Sequence, residues 1–387
     1  DDEVLTLEAQ GARLCVGEDY LDHLDADVIF RTPGMRPDLP QIAAQTARGA
    51  QLTSEMEAFF EVCPCTVIAV TGSDGKTTTT TLIAKILEHA GKRVWVGGNI
   101  GAPLLPRAAQ MQQDDFAVVE LSSFQLMTMT RSAHVAVVTN LAPNHLDMHH
   151  GMEEYIQAKK NVFLHQNAGD KVVLNLDNDI TRSFAPEARG CAAFFSRRET
   201  VENGVYLKEG VIYRGGKKIM DAADIKIPGV HNIENYMAAA CAVEGYASDA
   251  DVDAVARSFG GVEHRIELVR ELNGVRYYND SIASSPTRTI AGLHSFTQPV
   301  ILIAGGYDKH IPFDVLGPEI CAHVKTLILC GATADKIRAA VTAAREYEEG
   351  KPNILDAENL AQAVAFAQKS AEPGDVVTLS PACAAFD

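Results

Sequence analysis

The segment Val67–Leu87, VIAVTGSDGKTTTTTLIAKIL, constrains the fold more than any other stretch of the chain. Ile68, Ala69 and Val70 form a short apolar run that reads as a buried strand. Leu82, Ile83, Ile86 and Leu87 then recur at helical spacing. Gly72, Gly75 and Lys76 fall at the junction. A strand, a tight glycine turn and a helix N-terminus aim backbone N–H groups and a helix dipole at one spot, which makes an anion site. Glycine lets the backbone approach a phosphate closely, a lysine supplies a point charge, and the next hydroxyl can hold Mg²⁺. Lys76 is that lysine and Thr77 that hydroxyl. The commoner loop, G-x-x-x-x-G-K-[ST], would place a glycine where this chain has Val70. The T-G-S-D-G-K-T of Thr71–Thr77 is a shorter variant. The competing reading is an ordinary strand-to-helix turn, but every part falls in the order a phosphate loop requires.

With 387 residues, 47% of them hydrophobic, the chain is long enough for two or three domains. A formal net charge of −17 argues against a nucleic-acid binder, whose footprint is usually basic. The eight cysteines are scattered, apart from Cys63 and Cys65 in "CPC". That argues against a disulfide framework or a zinc site and for a reducing cytoplasm. No signal peptide is visible, and no apolar run approaches membrane-spanning length. The opening DDEVLTLEAQGARL and the closing LSPACAAFD lead to the expectation that both ends are cut.

Strand and helix alternate through the middle, which predicts a parallel sheet with strands at Val67–Val70, Val94–Val96, Phe116–Leu121, Val135–Thr139 and Val172–Leu176. GVYLKEGVIYRGGKKI breaks the rhythm as a hairpin with Glu209-Gly210 at its turn. A second α/β alternation starts near Glu263, with strands at Val275–Tyr278, Val300–Ala304, Leu327–Leu329 and Val376–Leu379. Ligands in open α/β sheets collect at strand carboxyl ends. Glu120 sits at such an end and could ligate the Mg²⁺ that touches Thr77. Asn140, Asn144, His145 and Asp147 cluster past another. His145 suits a metal or a substrate carboxylate, whereas His149 and His150 read as loop histidines in solvent. Lys159 lies on an amphipathic helix, where spacing alone does not separate it from Lys160. Asp280 follows a strand and could accept hydrogen bonds from a ribose. Lys309 follows a Gly-Gly turn and could hold a carboxylate or phosphate, unless Asp308 and Lys309 merely stabilise that turn.

The ordered set of motifs resembles the Mur ligases. It runs T-G-S-D-G-K-T, G-G-N-I-G, V-E-L-S-S-F-Q-L, N-H-L-D, Y-x-x-A-K, G-x-H-N-x-x-N, E-H-R, N-D-S, G-G-x-D-K and L-S-P-A-C-A, from about Thr32 to Asp387. The resemblance implies an α/β fold of three domains. These are a remnant UDP-binding domain at 1–62, a central ATPase with a P-loop parallel sheet at 63–262, and a Rossmann-like amino-acid-binding domain at 263–387, truncated at its end. It further implies that ATP phosphorylates the carboxylate of UDP-N-acetylmuramoyl-L-alanine and that the D-glutamate amine displaces phosphate. By the same resemblance Gly72, Ser73, Asp74, Gly75, Lys76, Thr77 and Thr78 form the phosphate loop. Thr77 and Glu120 hold one Mg²⁺, His145 sits at a second, and Lys159 is carbamylated into an anionic ligand. Asn235 meets the adenine, Arg265 the phosphates and Asp280 the ribose. Thr32 and Asn99 contact the nucleotide substrate with Ser122, and Lys309 holds the incoming amino acid with Ser284 nearby. A monomer is implied.

Some departures bear on the amino acid. Ile282 stands where the D-glutamate enzymes often carry lysine, Ser284 where they often carry threonine, and Ala385 where they often carry serine. The rivals are a sibling amide ligase, such as folylpolyglutamate synthase, a P-loop ATPase without ligase activity, and a non-catalytic nucleotide module. A bare ATPase would need no second α/β domain with Asp280 and Lys309.

Overall fold

The computed structural model describes residues 2–142, 149–308 and 311–383. His145, Lys309 and Ala385 therefore lie outside the described residues. The chain divides into two compact units, Asp1–Lys76 with Ala90–Phe195, and Thr77–His89 with Ser196–Asp387.

The first unit opens with a two-stranded parallel pair, β1 (Val28–Phe30) and β2 (Gln51–Thr53). Its main sheet is built from β3 (Thr66–Thr71), β4 (Val94–Gly98), β5 (Phe116–Glu120), β6 (Val135–Val138), β7 (Lys171–Asn175) and β8 (Cys191–Ser196). They run in the order β8-β7-β6-β3-β5-β4, with every neighbouring pair parallel. Ile68, Ala69, Val70, Val118 and Val137 are wholly buried. Strands covered on both faces read as continuous apolar runs, and each buried Ile or Val side chain contributes roughly 1.5–3 kcal/mol. β3 is flanked by β5 on one side and β6 on the other, so the order reverses there. Such a switch point opens a crevice at the strand carboxyl ends.

The second unit contains the antiparallel meander β9 (Gly204–Lys208), β10 (Val211–Arg214) and β11 (Lys217–Asp221). The expected turn is there. Glu209 and Gly210 have φ of 51° and 77°, the paired positive values of a twist-matched two-residue hairpin. A further sheet runs β12-β13-β17-β14-β15-β16, from β12 (Glu267–Leu272), β13 (Val275–Asn279), β14 (Val300–Ala304), β15 (Val324–Leu329), β16 (Asn353–Asp356) and β17 (Val376–Leu379). Only the β12–β13 pair is antiparallel. The α/β alternation expected after Glu263 runs from β13 onward, but β12 joins β13 directly as an antiparallel hairpin with no helix between them. Among the described residues no helix is long and apolar enough to cross a membrane.

Candidate active site

The carboxyl ends of β3, β4, β5 and β6 bring several expected residues together in the first unit. The loop after β3 is Gly72–Gly75, and the helix Lys76–His89 starts directly behind it. Gly72 has φ of 149°, and a Cβ there would lie 1.9 Å from Thr139 Oγ1, so only glycine fits. The loop is stitched to the end of β6. Ser73 N–H donates to the Asn140 carbonyl (2.9 Å), Asp74 N–H to Asn140 Oδ1 (3.0 Å), and Thr139 Oγ1 to the Asp74 carbonyl (2.6 Å). Ser73 Oγ meets Tyr155 Oη at 2.9 Å. Lys76 Nζ folds back onto the Ser73 carbonyl at 2.9 Å. Gly72→Ala should therefore destabilise the first unit by roughly 1–3 kcal/mol or more, as strained backbone does. Urea unfolding of the variant checks this; an unchanged midpoint would contradict the packing described.

Glu120, the last residue of β5, is 2% exposed rather than facing water. Its Oε1 accepts from Asn99 Nδ2 at 2.8 Å, and its carbonyl accepts Asn99 N–H at 2.8 Å. Two expected residues from neighbouring strand ends thus touch. Ser122 instead caps the short helix Ser123–Leu126 in a capping box with Gln125.

Lys159 is the sharpest departure from surface behaviour. The helix Met152–Lys160 buries it to 2% exposure, while Lys160 pairs with Glu187. Lys159 Nζ donates to Gly72 O (2.9 Å) and Thr71 Oγ1 (3.1 Å). Burial, with the Lys76 charge behind it, holds the Lys159 ammonium well below the ordinary lysine value, although Glu120 and Asp74 oppose the effect.

The solvent assignment of His149 is overturned. His149 is 3% exposed and stacked on Phe124, with Nε2 2.9 Å from Ser123 Oγ and Nδ1 3.2 Å from Glu154. A carboxylate on the next helix and an aromatic face together make a buried imidazole affordable. His150 is exposed, as expected, beside Asp38. Glu154 also pairs with Arg36 at 2.9 Å, which ties the RTPGM segment to this helix. Thr32 lies in that segment, exposed, while buried Arg31 gathers the Thr32, Pro33 and Met35 carbonyls and reaches the Phe124 carbonyl. Arg31, Arg36 and Glu154 were not singled out from sequence, and His149 was read there as a solvent histidine. A cavity of about 490 Å³ bordered by Met127, His150, Glu154 and Asn161 adjoins this network and holds none of the expected residues.

In the second unit Asn235 is buried on the helix Val230–Ala242. Its Oδ1 accepts from Thr79 Oγ1 (3.2 Å), and its Nδ2 donates to Asn232 Oδ1 (3.0 Å). Thr77 and Thr78 begin the Lys76–His89 helix, and the Thr77 carbonyl accepts from Thr81 Oγ1 at 2.8 Å. Arg265 is flanked by His264 (φ 64°) and Ile266 (φ 42°), and positive φ at a β-branched residue marks strain of the kind stored at functional sites. Asp280, past β13, is buried. Its oxygens accept from Ser380 Oγ (2.7 Å) and Ile266 N–H (3.2 Å). Ser284 is half-buried in the following turn, next to Ala283, whose carbonyl accepts Ala382 N–H. Ile282 is exposed. Asp308 pairs with Lys336.

Burial pushes the Asp280 carboxyl up to about 6 from an ordinary 3.8, against the hydrogen bonds that oppose it. The folded state thus holds this proton more tightly than the unfolded chain. The resulting stabilisation is fully present below about pH 3.8 and is lost as pH rises through about 6. The gap is worth about 3 kcal/mol. Asp280→Asn cannot ionise, so its unfolding free energy relative to the parent should rise by about that much between roughly pH 4 and 7. Urea titrations at the two pH values check this; a constant difference would contradict the burial argument.

Residues 70–243 match the Mur ligase middle domain and residues 264–383 the Mur ligase glutamate ligase domain. The chain belongs to the Mur ligase family. More particularly, it is 56% identical over 380 residues to a protein of Acetivibrio thermocellus named UDP-N-acetylmuramoylalanine--D-glutamate ligase, covering 96% of this chain and 81% of that protein. The Clostridium acetobutylicum protein of the same name is 52% identical over 390 residues, covering 100% and 84%. Among solved structures, UDP-N-acetylmuramate-alanine ligase from Thermotoga maritima superposes with a TM-score of 0.64 at 17% identity, covering 98% of this chain and 87% of that one. MurF from Acinetobacter baumannii gives 0.65 at 16% identity, covering 94% and 89%. At these identities the likeness shows the shared fold.

Proposed function

We infer that this chain is an ATP-dependent ligase that adds D-glutamate to UDP-N-acetylmuramoyl-L-alanine in peptidoglycan precursor synthesis. The observation that carries the reading is identity above 50% to ligases of that name over nearly the whole chain. The organisation that goes with it is 1–62 for the nucleotide-sugar side, 63–262 for ATP and 263–387 for the amino acid, working as a monomer in the cytoplasm.

A carboxylate is a poor electrophile because its leaving group would be oxide. A substrate carboxylate oxygen attacks the γ-phosphorus of ATP, the bond to the β-phosphate oxygen breaks, and ADP leaves. The D-glutamate amine then attacks the acyl carbon, phosphate departs with its electron pair, and the amine loses a proton. Both reactants are anions, so cations and preorganised donors do most of the work. Lys76 takes the β/γ-phosphates, with Gly72, Ser73, Asp74, Gly75 and Thr78 completing the loop. Arg265, Asn235 and Asp280 take the phosphates, adenine and ribose. Thr32, Asn99 and Ser122 face the nucleotide sugar and its peptide, and Lys309 and Ser284 the D-glutamate.

The buried Glu120 carboxylate and the Thr77 hydroxyl suit a hard cation that prefers oxygen ligands, as would the oxygens of a carbamylated Lys159 at a second Mg²⁺, where His145 would add a single nitrogen ligand. Bound Mg²⁺ supplies charge neutralisation on the phosphates. Lys159 is suited to carbamylation, since a buried amine of lowered proton affinity is unprotonated more often than a surface lysine. Its nitrogen bonds to the carbon of CO₂, a proton leaves, and a cation becomes an anion.

The test offers D-glutamate, L-glutamate, L-alanine, L-lysine and diaminopimelate separately with ATP, Mg²⁺ and UDP-N-acetylmuramoyl-L-alanine. Mass spectrometry should find one added residue with D-glutamate alone. Addition of another amino acid would reassign the specificity and point to Ile282 and Ala385.

A further inference from the structure

Away from the strand carboxyl ends, three ligand-bearing side chains converge in the second unit. His294 follows the helix Pro286–Leu293 as its C-cap, and Glu319 and His323 lie four residues apart on the helix Leu316–His323. His294 Nε2 is 2.7 Å from Glu319 Oε2, and His323 Nε2 is 3.6 Å from the same oxygen. The two imidazole rings sit 4.9 Å apart, and one ligand atom from each residue lies within 4.8 Å of the others. His294 precedes β14 and His323 adjoins β15 directly, so the cluster lies at the strand amino ends, opposite Asp280 and Ser380.

We propose that His294, Glu319 and His323 form a binding site for a divalent cation of the zinc class, pinning one helix to the other. Two imidazoles and a carboxylate are the donor set such an ion prefers. Mg²⁺ demands mostly oxygen ligands and is a poor fit. Bonds of about 2.0–2.2 Å place tetrahedral ligands about 3.3–3.6 Å apart, so the present cluster closes on an ion with side-chain rotation alone. All three residues are one-third to one-half exposed, which leaves room for that rotation and for water at the remaining positions. Both histidines sit at helix C-termini, where the backbone dipoles favour a cation. Cys321, on the same helix, directs its thiol to the Val341 carbonyl and is not part of the set. The site does not depend on the ligase reading.

The experiment titrates the apo protein with Zn²⁺ by calorimetry in excess Mg²⁺, and with Co²⁺ by visible absorption. The parent should bind one equivalent that His294→Ala, His323→Ala and Glu319→Gln each weaken by at least about 10-fold, a cost expected even from removing a supporting partner. The Co²⁺ bands should vanish in the same variants and lack the charge-transfer absorption of a thiolate ligand. Zn²⁺ should raise the thermal midpoint of the parent and not of His323→Ala. Equal binding by parent and variants, thiolate absorption, or no tight equivalent in the parent would overturn the site.

Discussion

Lys76→Ala should abolish ATP turnover while the first unit stays folded. Its ammonium donates to the Ser73 carbonyl in its own loop, which holds the side chain at the Gly72–Gly75 turn. Removing one preorganised donor from developing charge costs about 10²–10³-fold in turnover, and a lysine between two phosphates sits at or above that range. Phosphate release at saturating substrates measures the loss, and urea unfolding verifies that the midpoint holds. Parental turnover in the variant would remove the loop from the chemistry.

Lys159→Ala should be nearly as damaging, for a different reason. The variant leaves the Gly72 carbonyl without its donor, a cost of about 1–3 kcal/mol, and removes the amine that CO₂ would modify. Turnover should fall by about 10²-fold or more and recover in part when acetate or another small carboxylate fills the vacated space. Parental activity should also rise with added bicarbonate after CO₂ stripping. Loss of activity with no rescue at any concentration of carboxylate would leave Lys159 as a structural cation.

Both residues were visible in the sequence to different degrees. The loop around Lys76 was legible because its chemistry is local: strand, glycines, lysine and hydroxyl are contiguous. The burial of Lys159 was not, yet a signal was present. Tyr155, Lys159 and Val162 fall on one helical stripe, and all three are buried, while Lys160 falls off it. A lysine on an inward stripe is costly unless it is used or paired. His149 carried no such mark, because its burial depends on Phe124 and Ser123, which only the fold brings near, together with Glu154 five residues on. The apolar strands β3, β5, β6 and β14 announced themselves by composition. β12, ELVREL, did not, because an antiparallel edge strand keeps its charges in solvent. Arg31 and Arg36 were hidden in part for the same reason as His149, since beside their local partners Arg31 reaches the Phe124 carbonyl and Arg36 the Glu154 carboxylate, both distant in sequence.

The claim that the chain uses ATP to activate a carboxylate is tested most directly by following oxygen. UDP-N-acetylmuramoyl-L-alanine labelled with ¹⁸O in its carboxylate is turned over with ATP and D-glutamate, and the released phosphate is examined by mass. An acyl phosphate carries one substrate oxygen between carbon and phosphorus, and that oxygen leaves with the phosphate. The account predicts one ¹⁸O in each phosphate formed. Phosphate carrying oxygen from water alone, released at the same rate without D-glutamate, would contradict it and describe an ATPase.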